Sequence, residues 1–401
     1  MANPICRMCA SPLSKALLVL PMQPLTDDFV KQSEPEKKEY LEDIQIFECT
    51  QCGLVQNPRD FDHEGYYEDY QYSTAHSSFV QNFMHKYAEA SCQIFAQKNG
   101  RSAISVIEIG SGDGEQLKHF LKLGIKKVMG VEPSKFLGLI AEKAEIPTRI
   151  ELFEMSSIAK IRERFDICIS SYTFDHVRNP REYLEAARAL LSTGGLLVFE
   201  VHNLRQILQK SEYCLLEHEH TIYMDERQAV KMVEECGYEV LCIDPLPIEE
   251  VRGNSMIVVA HKVSAESVLK ERYVPDFFKV QLDLLNANIQ YSIACIERWI
   301  ESVPLNQRIV GFGAGGRGVM TLAALRNSGR FSALFDSNFE SSKYLAPKTR
   351  IPIVGKLEWS DYKDSYCLVF SYGYMEEIKA ALIAKGFDAK NILSLLEVNR
   401  E

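Results

Sequence analysis

Between residues 76 and 98 apolar side chains recur at helical intervals, with Phe79, Phe83, Tyr87 and Ala88 on one face. After the turn at Asn99-Gly100 the pattern changes to short continuous apolar runs separated by amphipathic stretches. The runs at Ile104–Ile109, Lys127–Val131, Arg164–Tyr172 and Gly195–Val201 predict strands; Gly114–Leu123, a segment from Ser134, and Arg181–Leu191 predict helices. Residues 264–303 read as mostly helical, bent or divided at Pro275. A second series follows, with strands at Arg308–Phe312, Phe331–Phe335 and Tyr366–Phe370 and a helix from Val319. Strands that are apolar throughout, alternating with helices, imply parallel sheets covered on both faces. Residues 1–75 are loop-rich by contrast. The expected organisation is a small unit at 1–75, an α/β domain at 76–262 and a Rossmann-like α/β domain at 263–401.

Composition narrows the partners. The chain has 401 residues, 46% hydrophobic and 25% charged, enough to bury sizeable cores in two or three domains. Fifty-five acids against 45 bases leave a net charge of −10, which argues against duplex DNA or an anionic membrane as the main partner. Neither an apolar stretch long enough to span a bilayer nor a secretory leader is read here, so a cytoplasmic location is expected.

In a reducing compartment the 11 cysteines read as thiols or metal ligands. Cys6 and Cys9 form one C-x-x-C, and Cys49 and Cys52 form another. Two such knuckles offer four thiolates to one Zn²⁺, a closed structural site with no open coordination position. The other seven cysteines are scattered singly.

The run Val106-Ile-Glu108-Ile-Gly110-Ser111-Gly112-Asp113-Gly114 is a strand, a glycine turn and a helix start. The glycines let backbone approach a ligand closely. Glu132, with Pro133 after the next strand, is placed to accept bonds from ribose hydroxyls. Glu108, Asp113 and Glu115 crowd the turn with carboxylates, which suits a cationic ligand better than a pyrophosphate. E-I-G-S-G-D-G resembles the first motif of class I S-adenosylmethionine-dependent methyltransferases, which implies that cofactor at Glu108, Gly110, Ser111, Gly112, Asp113, Gly114, Glu132 and Pro133.

A second loop, Gly311-Phe-Gly313-Ala-Gly-Gly316, satisfies G-x-G-x-x-G and is followed by Asp336 after the next strand. Alone it reads as a nicotinamide dinucleotide site, as a loop that merely packs, or as a surface where Gly313, Arg317 and a helix N-terminus meet phosphate on a substrate. Glu217-His218-Glu219-His220 lies between the two series. On an extended segment His218 and His220 project to one side, yet a metal reading needs a third ligand that the sequence does not place. His176 follows a predicted strand at the carboxyl edge, where ligands of such sheets bind.

Taken in order, CRMC, CTQCGLVQN, YEDYQYS, VIEIGSGDG, HVRNP, EHEH and GFGAGGRG with IPIVG resemble the sugar C-methyltransferases that act on nucleotide-linked keto-deoxysugars. That resemblance spans nearly the whole chain. It implies an N-terminal zinc-binding domain, a central class I methyltransferase domain and a C-terminal Rossmann-like domain. It also implies His220 as the base that removes a proton beside a carbonyl, Glu219 orienting the substrate, and His176, Tyr70 and Tyr72 lining the reacting centre. Glu217, His218 and Asn254 are expected near the sugar. Glu217 stands where the family carries Tyr, so the acceptor, or transfer to oxygen or nitrogen, stays open. An oxidoreductase using the second glycine loop and a non-catalytic docking module are the competing classes. The expected partner is a small nucleotide sugar, with the chain a monomer or weak homodimer.

Overall fold

Val106, Ile107 and Ile109 are fully buried because their strand lies at the middle of a seven-stranded sheet. Its strands are β1 (Ser105–Ile109), β2 (Lys127–Glu132), β3 (Thr148–Ile150), β4 (Phe165–Ser171), β5 (Leu191–His202), β6 (Tyr238–Ile243) and β7 (Ser255–Lys262). The order is β3-β2-β1-β4-β5-β7-β6, with β7 antiparallel to both neighbours and the other pairs parallel. The order steps outward from β1 in both directions, so the crevice for a ligand opens at the carboxyl ends of β1 and β4.

The computed structural model describes residues 4–60, 78–263, 278–339 and 341–399. They form two compact units, one of Met1–Lys15, Phe47–Gln206 and Glu219–Phe278, the other of Ala16–Ile46, Ile207–His218 and Lys279–Glu401. This partition differs from the boundaries expected at residues 75 and 262. Residues 16–46 join the second unit because Val30–Lys31 pairs antiparallel with Tyr344–Leu345. A two-residue strand paired with a segment so far along the chain leaves no local signature.

In the first unit the helix Ser78–Asn99 buries Phe83, Tyr87 and Phe95 against Val106, Ile167, Ile169 and Val198. Each such ring contributes roughly 1.5–3 kcal/mol of transfer free energy. The Tyr87 hydroxyl donates to the Val198 carbonyl at 3.0 Å, so the buried phenol is satisfied. The N-P of HVRNP starts a helix: the Asn179 side chain accepts from Glu182 N and Pro180 occupies the first turn of Pro180–Leu190. In the second unit a seven-stranded sheet runs in the order Ile392–Ser394, Tyr366–Val369, Ile309–Phe312, Phe331–Phe335, Pro352–Val354, Tyr344–Leu345 and Val30–Lys31. The first five are parallel, three of them expected from the alternating pattern and Pro352–Val354 and Ile392–Ser394 not, and the last two are antiparallel.

Candidate active site

The first glycine loop closes at the carboxyl end of β1. Gly110 has φ +73°, and a Cβ there would run into the Thr173 side chain just beyond β4. Gly114, at φ +81°, caps the helix Glu115–Lys122 against Ala141 and Ile146. Glu132 accepts from Gly112 N and Ser134 N, both at 2.8 Å, tying the loop to the end of β2 and the Pro133 turn. Ser111 packs its hydroxyl over Gly130, where a side chain would not fit. Glu108 Oε2 is buried without a hydrogen-bond partner, and the Ser111 hydroxyl likewise. Burial, with the charges of Glu132 and Asp113, pushes the Glu108 carboxyl well above the ordinary carboxylate range; Arg252 opposes the shift. Burial raises Glu132 too, against the two amide bonds it accepts. The crevice thus gathers carboxyl groups whose ionised forms burial disfavours, and a sulfonium and an α-ammonium group would favour those forms. Glu108, Asp113 and Glu132 with the loop backbone would hold S-adenosylmethionine there.

Three residues past Gly110's neighbour Thr173, the chain enters a cluster of imidazoles. His176 Nδ1 is 3.9 Å from Glu219 Oε2, and the His176 and His220 rings meet edge-on at 4.7 Å. The His202 ring, at the end of β5, lies 4.9 Å from His220 and stacks on Tyr172 at 4.4 Å. Asp175, 3% exposed, accepts from His202 Nδ1 at 2.7 Å. Burial alone would raise its carboxyl, but the bond from His202 and the nearby histidines hold it below the usual range. His202 and Asp175 were not singled out from the sequence. Only their places, one ending a predicted strand and one beside His176, could have suggested them.

Tyr172 adopts φ +48°, an uncommon conformation for a bulky residue, next to this cluster. Its backbone N–H donates to the Glu200 carbonyl, and the Arg252 guanidinium sits 4.7 Å from its ring centre and 4.5 Å from that of Phe83. Arg252 pairs with Glu200, whose side chain is fully buried. Asn254, beside it, is buried and its carbonyl accepts from Asn203 N at 2.7 Å.

The four cysteines converge as the spacing implied. Cys6 and Cys52 sulfurs are 3.6 Å apart, and Cys9 and Cys49 sulfurs 3.5 Å. All four sulfurs lie within 4.8 Å of one another, close to the edge of about 3.8 Å that Zn–S bonds of 2.3 Å demand in a tetrahedron. The Cys52 thiol holds Cys6 down, while burial pushes Cys49 up and the Cys6 contact with burial pushes Cys52 up, so binding a metal would release protons from the set. The same knuckle supports the histidines: Val55–Gln56 pairs with Ile222–Tyr223, and Asn57 N donates to the Thr221 carbonyl. A metal bound there would be structural, and the strand it would steady, Ile222–Tyr223, begins two residues after His220.

The remaining expected site residues fall in the second unit. His218 Nε2 bonds the Gln23 carbonyl at 2.9 Å and its ring packs edge-on to Tyr40, so the partners of His220 are His176 and His202 rather than His218. Glu217 accepts from the Thr26 hydroxyl at 3.0 Å, and its carboxylate occupies the space a Cβ on Gly316 would need. Gly313 has φ +108°, and Ala314 N donates to Asp336 at 2.8 Å. Arg317 pairs with Glu212 at 2.5 Å and lies over the Tyr372 ring at 4.3 Å. Both line a cavity of about 250 Å³ shared with Asn288, Ser292 and Asn399. Tyr70 and Tyr72 lie outside the described residues.

Residues 80–243 match a methyltransferase domain family and residues 6–67 a zinc binding domain family. Over 389 residues the chain is 23% identical to the C-methyltransferase NovU of Streptomyces niveus, covering 93% of this chain and 90% of that protein. A stretch of 124 residues is 30% identical to the ubiquinone biosynthesis O-methyltransferase of Nitrobacter winogradskyi, covering 29% of this chain and 46% of that one. The structure of the plantazolicin methyltransferase BpumL in complex with SAH aligns with a TM-score of 0.39 and 13% identity, over 46% of this chain and 86% of that chain. The acidic glycine crevice and the matched domain make this chain an S-adenosylmethionine-dependent methyltransferase with a structural zinc site. Its zinc binding and methyltransferase domain matches, together with the similarity to NovU over 93% of the chain, make it similar along its length to a C-methyltransferase. Among the described residues no helix is long and apolar enough to cross a membrane.

Proposed function

We propose that the chain methylates a carbon adjacent to a carbonyl in a nucleotide-linked keto-deoxysugar. The observation that carries this reading is the histidine cluster beside the donor loop, joined to it through Thr173 at Gly110. A carbonyl acidifies the neighbouring C–H, and a neutral imidazole takes that proton near pH 7. His220, enclosed by His176, His202 and Tyr223, is the base in this reading. Glu219, whose Oε2 is buried without a hydrogen-bond partner, orients the sugar, and His176 lies beside the reacting carbon. Tyr70 and Tyr72, outside the described residues, enter this reading through the resemblance alone. Glu217, His218 and Asn254 are assigned to the sugar by the resemblance alone. S-adenosylmethionine supplies an electrophilic methyl group to the carbon so activated. The polar cavity at Arg317, with the loop at Gly313, supports a nucleotide contact in the second unit.

The test incubates the full chain with a panel of nucleotide keto-sugars and labelled donor. A gain of one methyl on carbon is expected, together with C–H exchange in D₂O without donor. His220→Ala should slow both by about 10²–10⁴-fold while donor binding survives. Label on oxygen or nitrogen, or exchange unaffected by His220→Ala, would refute the assignment.

A further inference from the structure

Asp175, His202 and His220 bring one carboxylate and two imidazoles together in the interior of the first unit. One ligand atom from each lies within 4.8 Å of the other two. Asp175 and His220 are buried, and the His202 side chain is 15% exposed. The His202 bond satisfies only Asp175 Oδ2. Asp175 Oδ1 is buried without a hydrogen-bond partner, with His176 Nε2 at 3.8 Å. An ionised buried oxygen left this way costs at least about 1–3 kcal/mol, so a purely structural Asp-His pair leaves half of the carboxylate unexplained. Glu219 Oε2, also buried and without a hydrogen-bond partner, adds a second acidic oxygen at the cluster's other side.

We propose that Asp175, His202 and His220 bind a divalent transition-metal ion at a second site, distinct from the four cysteines. Two imidazole nitrogens and one carboxylate oxygen are a borderline donor set suited to Zn²⁺, Co²⁺ or Ni²⁺ and too poor in oxygen for Ca²⁺. Metal bonds of about 2.1 Å put tetrahedral ligands roughly 3.4 Å apart, so the widest of the three separations needs to close by about 1.4 Å at most. Three protein ligands leave a coordination position open, unlike the sealed thiolate site. The ion takes a His220 nitrogen. If His220 is the base, as proposed above, metal and proton compete for it and loading the second site silences methyl transfer. That consequence rests on the proposed function; the site itself does not.

The experiment titrates Co²⁺ into the purified full-length chain, already loaded at the cysteines, and counts metal by mass spectrometry. Two ions per chain are expected, the second giving weak visible d–d bands without thiolate charge transfer. His202→Ala and the milder His202→Gln should each weaken the second ion at least tenfold and keep the first, with S-adenosylmethionine binding by calorimetry reporting an intact fold. A wild-type chain that stops at one ion overturns the proposal, as does a second ion that both variants retain. Methyl transfer suppressed by the second ion, and restored by a mild chelator that leaves the first, supports both site and base. Methyl transfer that rises with the second ion keeps the site and removes His220 from its role as base.

Discussion

Arg252→Met tests the electrostatics that hold the acceptor side of the crevice in shape. The guanidinium is the partner of Glu200, a carboxylate with no exposed side-chain surface, and it lies over the rings of Phe83 and Tyr172. Burial works against the arginine's charge, but Glu200 more than compensates and keeps it above its ordinary range. Methionine restores the apolar stem and removes the charge, leaving Glu200 uncompensated in the interior. Breaking one side of a buried pair costs about 3–5 kcal/mol, which is roughly 6–20 °C of melting temperature for a unit of this size. Replacing both partners, as Arg252→Met with Glu200→Gln, removes the charge altogether and should recover most of that loss. The readout is hydrogen exchange in β5 and β7. Trp299 and Trp359, the chain's two tryptophans, both lie in the second unit, so their fluorescence transition is an internal control that should not move. Because Tyr172 stacks on His202, methyl transfer should fall in the single variant by more than the stability loss alone explains. A single-variant cost under about 1 kcal/mol, or a double variant in which the two losses simply add, would refute the uncompensated-charge reasoning.

Other outcomes follow from the same geometry. Gly110→Ala meets Thr173 at a positive φ and should weaken S-adenosylmethionine binding at least about tenfold by calorimetry, while Gly100→Ala, also at positive φ but in open space, should leave it unchanged. Glu108 is raised by burial, so the folded state binds a proton that the unfolded chain has already released, and stability falls as pH rises above the unfolded value. Glu108→Gln should flatten that dependence between pH 5 and 8 in urea titrations and weaken donor binding; an unchanged slope would discount the orphaned carboxyl. Cys49→Ser should lower bound zinc and strip exchange protection from Val55–Gln56 and Ile222–Tyr223, with methyl transfer falling although no cysteine touches substrate.

How much of this was legible in the sequence varies with the range over which each feature is encoded. The glycine turn of Glu108–Gly114 and the paired cysteines are local patterns, and the structure places them as their spacing implied. The strand Leu191–His202 runs past its apolar stretch because His202 itself pairs with Ser255, so His202 arrives at the crevice without a motif to announce it. The E-H-E-H run reads as one feature yet divides after His218: its first two residues pack with Gln23, Thr26 and Tyr40, the last two with His176 and His202. Alternation along a segment encodes which way a side chain points and says nothing about a change of neighbours. Glu212, Tyr213 and Cys214, which line the cavity with Arg317, lie about a hundred residues before it, beyond the reach of any local spacing.

The pairing of Val30–Lys31 with Tyr344–Leu345 also sets a timetable for synthesis. The early segment leaves the ribosome roughly 300 residues before its partner, which at about 5–20 residues per second is a wait of some 15–60 s. Until then its pairing edge is open, and any shortened version that drops residues 16–46 leaves the Tyr344–Leu345 edge bare for good, inviting association between copies.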